Sequence, residues 1–400
     1  MATDAEKRLC TEIEGRADAL LDDLRTHVDL PTGGGNSAAL DETRGGLAAR
    51  LEALGAQTEL VPGDPAPTWL WGQIPGREPP PTAVVRRPRE RLPRILIAGH
   101  LDTVHDPRGD FRELSIAPDG KTAIGPGCVD MKGGLVIAVH ALEALEACGL
   151  DCSWTFLLNS DEETGTYHSD AALRAESARH DVGLALEPAL AGGELAIERV
   201  GSGQFMIETG GRSAHVGRAF SEGISAVTKL AECLMDVARM PEPAANQILS
   251  VGPIEGGHAV NAVPDRARAW GNARFADQAA ADVIAQRLKA LATEPGAMPS
   301  VTVRRSFNRP AKPLVPETER LALAARGVAE DLGQALPFAS TGGVCDGNIM
   351  QDAGLPTIDT LGVRGGGLHT PQEWIELASL VERCQLLAVL IARLSSQRVA

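Results

Sequence analysis

Two stretches constrain this chain more than any others: RILIAGHLDTV at 94–104 and SWTFLLNSDEETG at 153–165. Each is an apolar run that stops abruptly at ionisable residues. A run of strand formers without polar alternation predicts a strand covered on both faces, as in a parallel sheet flanked by helices. The second run empties into three successive carboxylates, Asp161, Glu162 and Glu163. They repel one another and are costly to desolvate, so positive charge is expected among their oxygens.

The same texture recurs along the chain. LDETRGGLAARLEALG (40–55) has helical spacing and a glycine stop, GLVIAVHALEAL (134–145) reads as a helix, and DVGLAL (181–186) as a further strand. The proline- and glycine-rich region at 62–93 is expected to be mostly loops and edge strands. From about 198 the pattern changes: GSGQFMIETGG, NQILSVGPI, RARAWGNARF and VTVRRSF read as strands, with helices at about 222–238 and in ADVIAQRLKALA. Helix, strand and helix then return in PETERLALAARGVAEDLG, GLPTIDTLG and the final QEWIELASLVERCQLLAVLIARL. The expected fold is an α/β catalytic domain with a central, mostly parallel sheet. Into it is inserted an α+β domain, ferredoxin-like, with four strands and two helices. The expected boundaries are 1–197, 198–308 and 309–400, and a chain of 400 residues is long enough for two such cores.

Charge narrows the range of partners. With 53 acidic against 38 basic residues the net charge is -15, which argues against nucleic acid, and no stretch has the length and apolarity of a membrane span. The first 28 residues read as one amphipathic helix rather than a secretory signal, and seven cysteines, an odd number, suit a reducing compartment. A cytoplasmic location is therefore expected. Cys148 and Cys152 are one helical turn apart but straddle Gly149, which marks a helix end rather than a metal or redox pair.

In an open α/β sheet, ligands collect beyond the carboxyl ends of the strands. His100 and Asp102 follow RILIAG, Glu162 and Glu163 follow SWTFLLN, and Glu187 follows DVGLAL. Asp130 lies in GPGCVDMKGG and His369 in RGGGLHTP, each a glycine-rich loop before a helix. Any one such residue is more often structural than ligating. Together they form a mixed imidazole and carboxylate set suited to zinc, with manganese or cobalt as substitutes.

HLDTV, GPGCVDMKGG, DEETG and GGLHTP, in this order, resemble the zinc-dependent exopeptidase and aminoacylase superfamily. That group includes aminoacylase, succinyl-diaminopimelate desuccinylase and glutamate carboxypeptidase, and the glutamate carboxypeptidase branch is nearest. The resemblance covers nearly the whole chain. It implies two zinc ions bridged by Asp130, with His100 and Glu187 completing one site and Glu163 and His369 the other. It further implies Glu162 as general base, Asp102 as hydrogen-bond partner of His100, and a cis peptide after Asp130. His215 in GGRSAHVG resembles a histidine that reaches across a homodimer to stabilise an oxyanion. Asn261 resembles a cleft residue, Arg274 the arginine that binds the substrate carboxylate, and Gly343 part of a glycine-rich pocket loop. Arg309 is a further candidate for substrate contact, on its position in RRSFNRPAKP.

The expected activity is hydrolysis of the amide of a small peptide or N-acyl amino acid with a free carboxylate, with glutamate release favoured. Deacylation of an acetylornithine or succinyl-diaminopimelate type of substrate is the alternative. A binding protein that has lost turnover would be expected to lack the base, yet Glu162 is present. A dinucleotide-dependent oxidoreductase would need G-x-G-x-x-G between an early strand and helix, and none occurs.

Overall fold

The computed structural model describes residues 2–73 and 76–396. Its main sheet has six strands in the order Gln57–Val61, Thr82–Arg87, Ser153–Asn159, Arg94–His100, Val182–Ala185 and Thr357–Ile358. The last four are mutually parallel and the first two run antiparallel to their neighbours, so the sheet is mixed. His100 pairs with Asn159 and Ala98 with Ala185, which brings the loops after all three strands to one edge.

The helix Gly133–Ala147 is buried on nearly every side, as its apolar sequence requires, and packs with the final helix Ala378–Ser396 against the sheet. Gly134 permits this approach: a Cβ there would lie 2.3 Å from the carbonyl oxygen of Leu186.

A second core lies over a four-stranded antiparallel sheet ordered Ile248–Gly256, Arg266–Phe275, Gly201–Gly210 and Ser300–Arg309. Phe205, Ile207, Ala269 and Phe275 face the helices Ala226–Val237 and Gln278–Lys289, whose Leu230, Cys233, Ile284 and Leu288 complete that core. Strand alternation turns Trp270, Asn272 and Arg274 to the other face.

Two local expectations are corrected. The amino-terminal helix is two helices, Asp4–Glu14 and Ala17–Asp29, separated at Gly15 and Arg16. Arg16 there bonds Glu12 and Glu143, which ties the break to the helix Gly133–Ala147. The proline-rich region contains an interior strand, Thr82–Arg87, buried along most of its length between Gln57–Val61 and Ser153–Asn159. Its apolar core, Ala83, Val84 and Val85, is short enough to be masked by the prolines before it.

Candidate metal centre and substrate cleft

Each strand end delivers its side chain to the same rim. His100 is the last residue of its strand and is buried, and its Nδ1 donates to the backbone oxygen of Asp102 at 2.9 Å. This fixes the ring so that Nε2 faces Asp130 Oδ1 at 3.3 Å and Glu187 Oε1 at 3.9 Å. Across Asp130, His369 Nε2 lies 3.4 Å from Oδ2 and 3.3 Å from Glu163 Oε2. His100, Asp130 and Glu187 thus form one group of donor atoms within 4.8 Å of one another, and Asp130, Glu163 and His369 a second, with Asp130 common to both.

These separations suit a cation between the donors. Bonds of about 2.0–2.1 Å to a tetrahedral metal place neighbouring ligand atoms about 3.3 Å apart. The electrostatics point the same way. Burial pushes the carboxyls of Glu163 and Glu187 up, well up for Glu187. Burial opposes the charge on Asp130 as well, yet hydrogen bonds from His100 and His369 hold it below the usual carboxylate range. Hydrogen bonds to Asp130 and Glu163 raise His369 to about 10. Glu163 Oε1 is buried without a hydrogen-bond partner. The chain alone supplies too little positive charge for its carboxylates, and two divalent cations fit the donor set.

Asp102 differs in detail from expectation. His100 bonds its backbone carbonyl, while its carboxylate stands 3.6 Å from the ring. The carboxylate instead accepts from the backbone N–H of Glu162 at 3.2 Å and of Glu163 at 3.0 Å. Asp102 therefore orients the DEETG turn as well as the imidazole. The peptide bond Asp130–Met131 is cis.

Sequence reasoning missed Glu373, whose buried carboxylate organises the Asp130 loop. Its Oε1 accepts from the N–H groups of Val129 and Asp130, both at 3.0 Å, and its Oε2 accepts from that of Gly127 at 2.9 Å and meets His105 Nε2 at 2.6 Å. A glutamate in the run QEWIEL carries no local sign of this role. In Glu373→Gln an amide NH2 would face these donors, so metal affinity is expected to fall by about 10–100-fold. Competition with a chromophoric chelator measures this, and an affinity within twofold of wild type would remove Glu373 from the centre's support.

A cavity of about 510 Å³ adjoins the centre, lined by Glu162, Glu163 and His369 on one side and Asn272, Arg274 and Gly343 on the other. Arg274 Nε donates to Asn272 Oδ1 at 3.0 Å, and its Nη1 reaches Gly342 O at 3.5 Å. Trp71 also lines it and packs edge-to-face on Trp270 with centroids 5.0 Å apart. Arg309 also lines the cavity, but its guanidinium is turned to Glu162 and Thr166. His215 and Asn261 are exposed and neighbours, with Val216 N donating to Asn261 O at 3.0 Å, and neither lines this cavity. Among the described residues no helix is long and apolar enough to cross a membrane.

A mixed α/β sheet with paired histidine–carboxylate groups at its carboxyl edge defines a metal-dependent hydrolase. The chain belongs to peptidase family M20/M25/M40, whose sequence profile matches residues 96–393. It is 26% identical over 392 residues to carboxypeptidase G2 of Pseudomonas sp. (strain RS-16), covering 94% of this chain and 90% of that protein. It is 30% identical over 314 residues to the succinyl-diaminopimelate desuccinylase of Methylorubrum populi, covering 72% and 79%. A tripeptidase structure from Staphylococcus aureus superposes with a TM-score of 0.76 at 20% identity, covering 95% of this chain and 99% of that one.

Proposed function

We propose that this protein is a dinuclear zinc amidohydrolase that releases an amino acid, glutamate in the leading reading, from a small peptide or N-acyl amino acid with a free carboxylate. The observation that carries the reading is the sharing of Asp130 by two histidine–carboxylate groups beside a cavity that also contains Glu162 and Arg274. His100, Asp130 and Glu187 would hold one ion and Asp130, Glu163 and His369 the other. When bound, the two ions polarise a substrate carbonyl and lower the pKa of water.

The chain's own residues do the rest. Arg274, with Nη2 clear of protein acceptors among the described residues, takes the substrate carboxylate as a charge-assisted pair. Gly343 adds no side chain to the cavity wall beside Arg274. Glu162 accepts the proton of the attacking water and delivers it to the leaving nitrogen. Asp102, through the N–H groups of Glu162 and Glu163, keeps the base and the neighbouring ligand at their separate tasks.

We divide the chain into catalytic segments 1–197 and 309–400 and a ferredoxin-like lid and dimerisation domain at 198–308. His215 and Asn261, exposed and outside this chain's cavity, would complete the partner's site in a homodimer. The location consistent with seven unpaired cysteines is the cytoplasm. The desuccinylase likeness supports one alternative, deacylation of an N-acyl amino acid.

A zinc-reconstituted assay separates these readings. N-acetyl, N-succinyl, N-carbamoyl, N-aroyl and aminoacyl derivatives of glutamate, aspartate, ornithine and an apolar amino acid are compared by kcat/KM. The highest value is expected for glutamate. Preference for an N-acylated basic amino acid overturns glutamate release, and inactivity toward every amide overturns the reaction itself.

A further inference from the structure

Arg309 ends the strand Ser300–Arg309 and is 5% exposed. Its Nη1 donates to Glu162 Oε1 at 2.5 Å, and its Nη2 donates to the Glu162 backbone oxygen at 2.5 Å and to Thr166 Oγ1. Its Nε is buried without a partner, and both Nη atoms are taken by acceptors of Glu162 and Thr166. Arg274 differs in this respect, because its outer nitrogen has no protein acceptor among the described residues.

The support behind Arg309 is itself fixed. Thr166 is fully buried and its hydroxyl donates to Asp346 Oδ1 at 3.0 Å, while Asp346 Oδ2 accepts from Asn159 Nδ2 at 2.6 Å. Thr166 holds φ at +57°, a left-handed conformation that a β-branched residue adopts only when its surroundings impose it. The chain Asn159–Asp346–Thr166–Arg309 thus runs from the end of a central strand to the carboxylate of Glu162.

We propose that Arg309 is a positioning residue for Glu162 and not a contact for the substrate carboxylate. The inference rests on the reading of Glu162 as the base. A glutamate side chain ordinarily retains several rotamers, and gripping Oε1 together with the backbone oxygen of the same residue selects one of them. Among the described residues no protein donor reaches Oε2, which is left for the reacting water. The arginine comes from the strand that returns from the second sheet, so the orientation of the base depends on that sheet's seating.

Full-length, metal-loaded Arg309→Lys and Arg309→Ala proteins test this with the best amide of the panel above. Lysine keeps the charge but loses the fork, and kcat is expected to fall by roughly tenfold or more while KM stays within about threefold. Millimolar guanidinium should restore part of the Arg309→Ala rate. Adding Arg309→Lys to Glu162→Gln should cost nothing further, and calorimetry should give N-benzoyl-L-glutamate the same Kd for Glu162→Gln with and without it. A tenfold weaker Kd or higher KM at unchanged kcat makes Arg309 a substrate contact and overturns the proposal, as does a wild-type rate in Arg309→Lys. A crystal structure of Arg309→Ala reads the same point without turnover. A Glu162 side chain redistributed among rotamers supports the proposal and an unmoved one overturns it, even if the wild-type protein cleaves no amide.

Discussion

Glu162→Gln protein keeps its two metal ions per chain while kcat falls by about two to four orders of magnitude, the range a positioned general base contributes. The substitution keeps the side chain's shape and an acceptor oxygen, and removes the carboxylate charge that takes the proton and pairs with Arg309. The amide oxygen can still accept from Arg309 Nη1, and the Glu162 backbone N–H still reaches Asp102. Glu162 is in neither group of candidate ligands, so metal content should be unaffected. Because the loss is confined to the chemical step, kcat and kcat/KM should drop together with little change in substrate affinity. Metal analysis and steady-state kinetics on the same preparation check this. Turnover within a few-fold of wild type would transfer the base's role elsewhere, and loss of metal would make Glu162 part of the ion cage.

What could be read in advance follows from the range of the forces involved. RILIAG and SWTFLLN are long, apolar and unbroken, so burial on both faces identifies them as central strands, and the residues after them fall at the carboxyl edge. His100 and Glu163 were legible for this reason. His369 was not legible from periodicity, since only two-residue and three-residue strands flank its loop, and resemblance singled it out. Thr82–Arg87 was hidden because its strand signal is shorter than the proline-rich stretch before it. Glu373 and the orientation of Arg309 were illegible in a stronger sense. Glu373 acts on residues about 245 positions earlier, and Arg309 on one 147 positions earlier, so no local pattern encodes either bond. The exchange of carbonyl for carboxylate at Asp102 turns on 2.9 Å against 3.6 Å from the ring and depends on the DEETG turn offering its N–H groups.

Asp359→Ala is expected to destabilise the fold by about 3–5 kcal/mol, the cost of stripping the counter-ion from a buried charge cluster. Asp359 is fully buried. Its Oδ1 accepts from Arg199 Nε at 3.0 Å and Nη2 at 2.7 Å, and its Oδ2 faces Lys312 Nζ at 3.2 Å. Burial opposes the charge on Asp359, but Arg199 and Lys312 outweigh it and hold the carboxyl below its usual range. Alanine leaves both cations in the interior, Lys312 with only the Ala196 carbonyl oxygen at 3.5 Å among the described residues. The position matters because Arg199 and Lys312 exchange backbone hydrogen bonds of 2.9 Å where the chain enters and leaves the second sheet. One carboxylate thus ties both crossing strands to the main sheet, and Arg199 also lies against the Gly343 wall of the cleft. Urea unfolding of metal-free protein measures the effect, and an unchanged m-value would show that stability alone has shifted. A loss below about 1 kcal/mol would mean that water reaches the two cations and that the crossing strands are held by their backbone bonds alone.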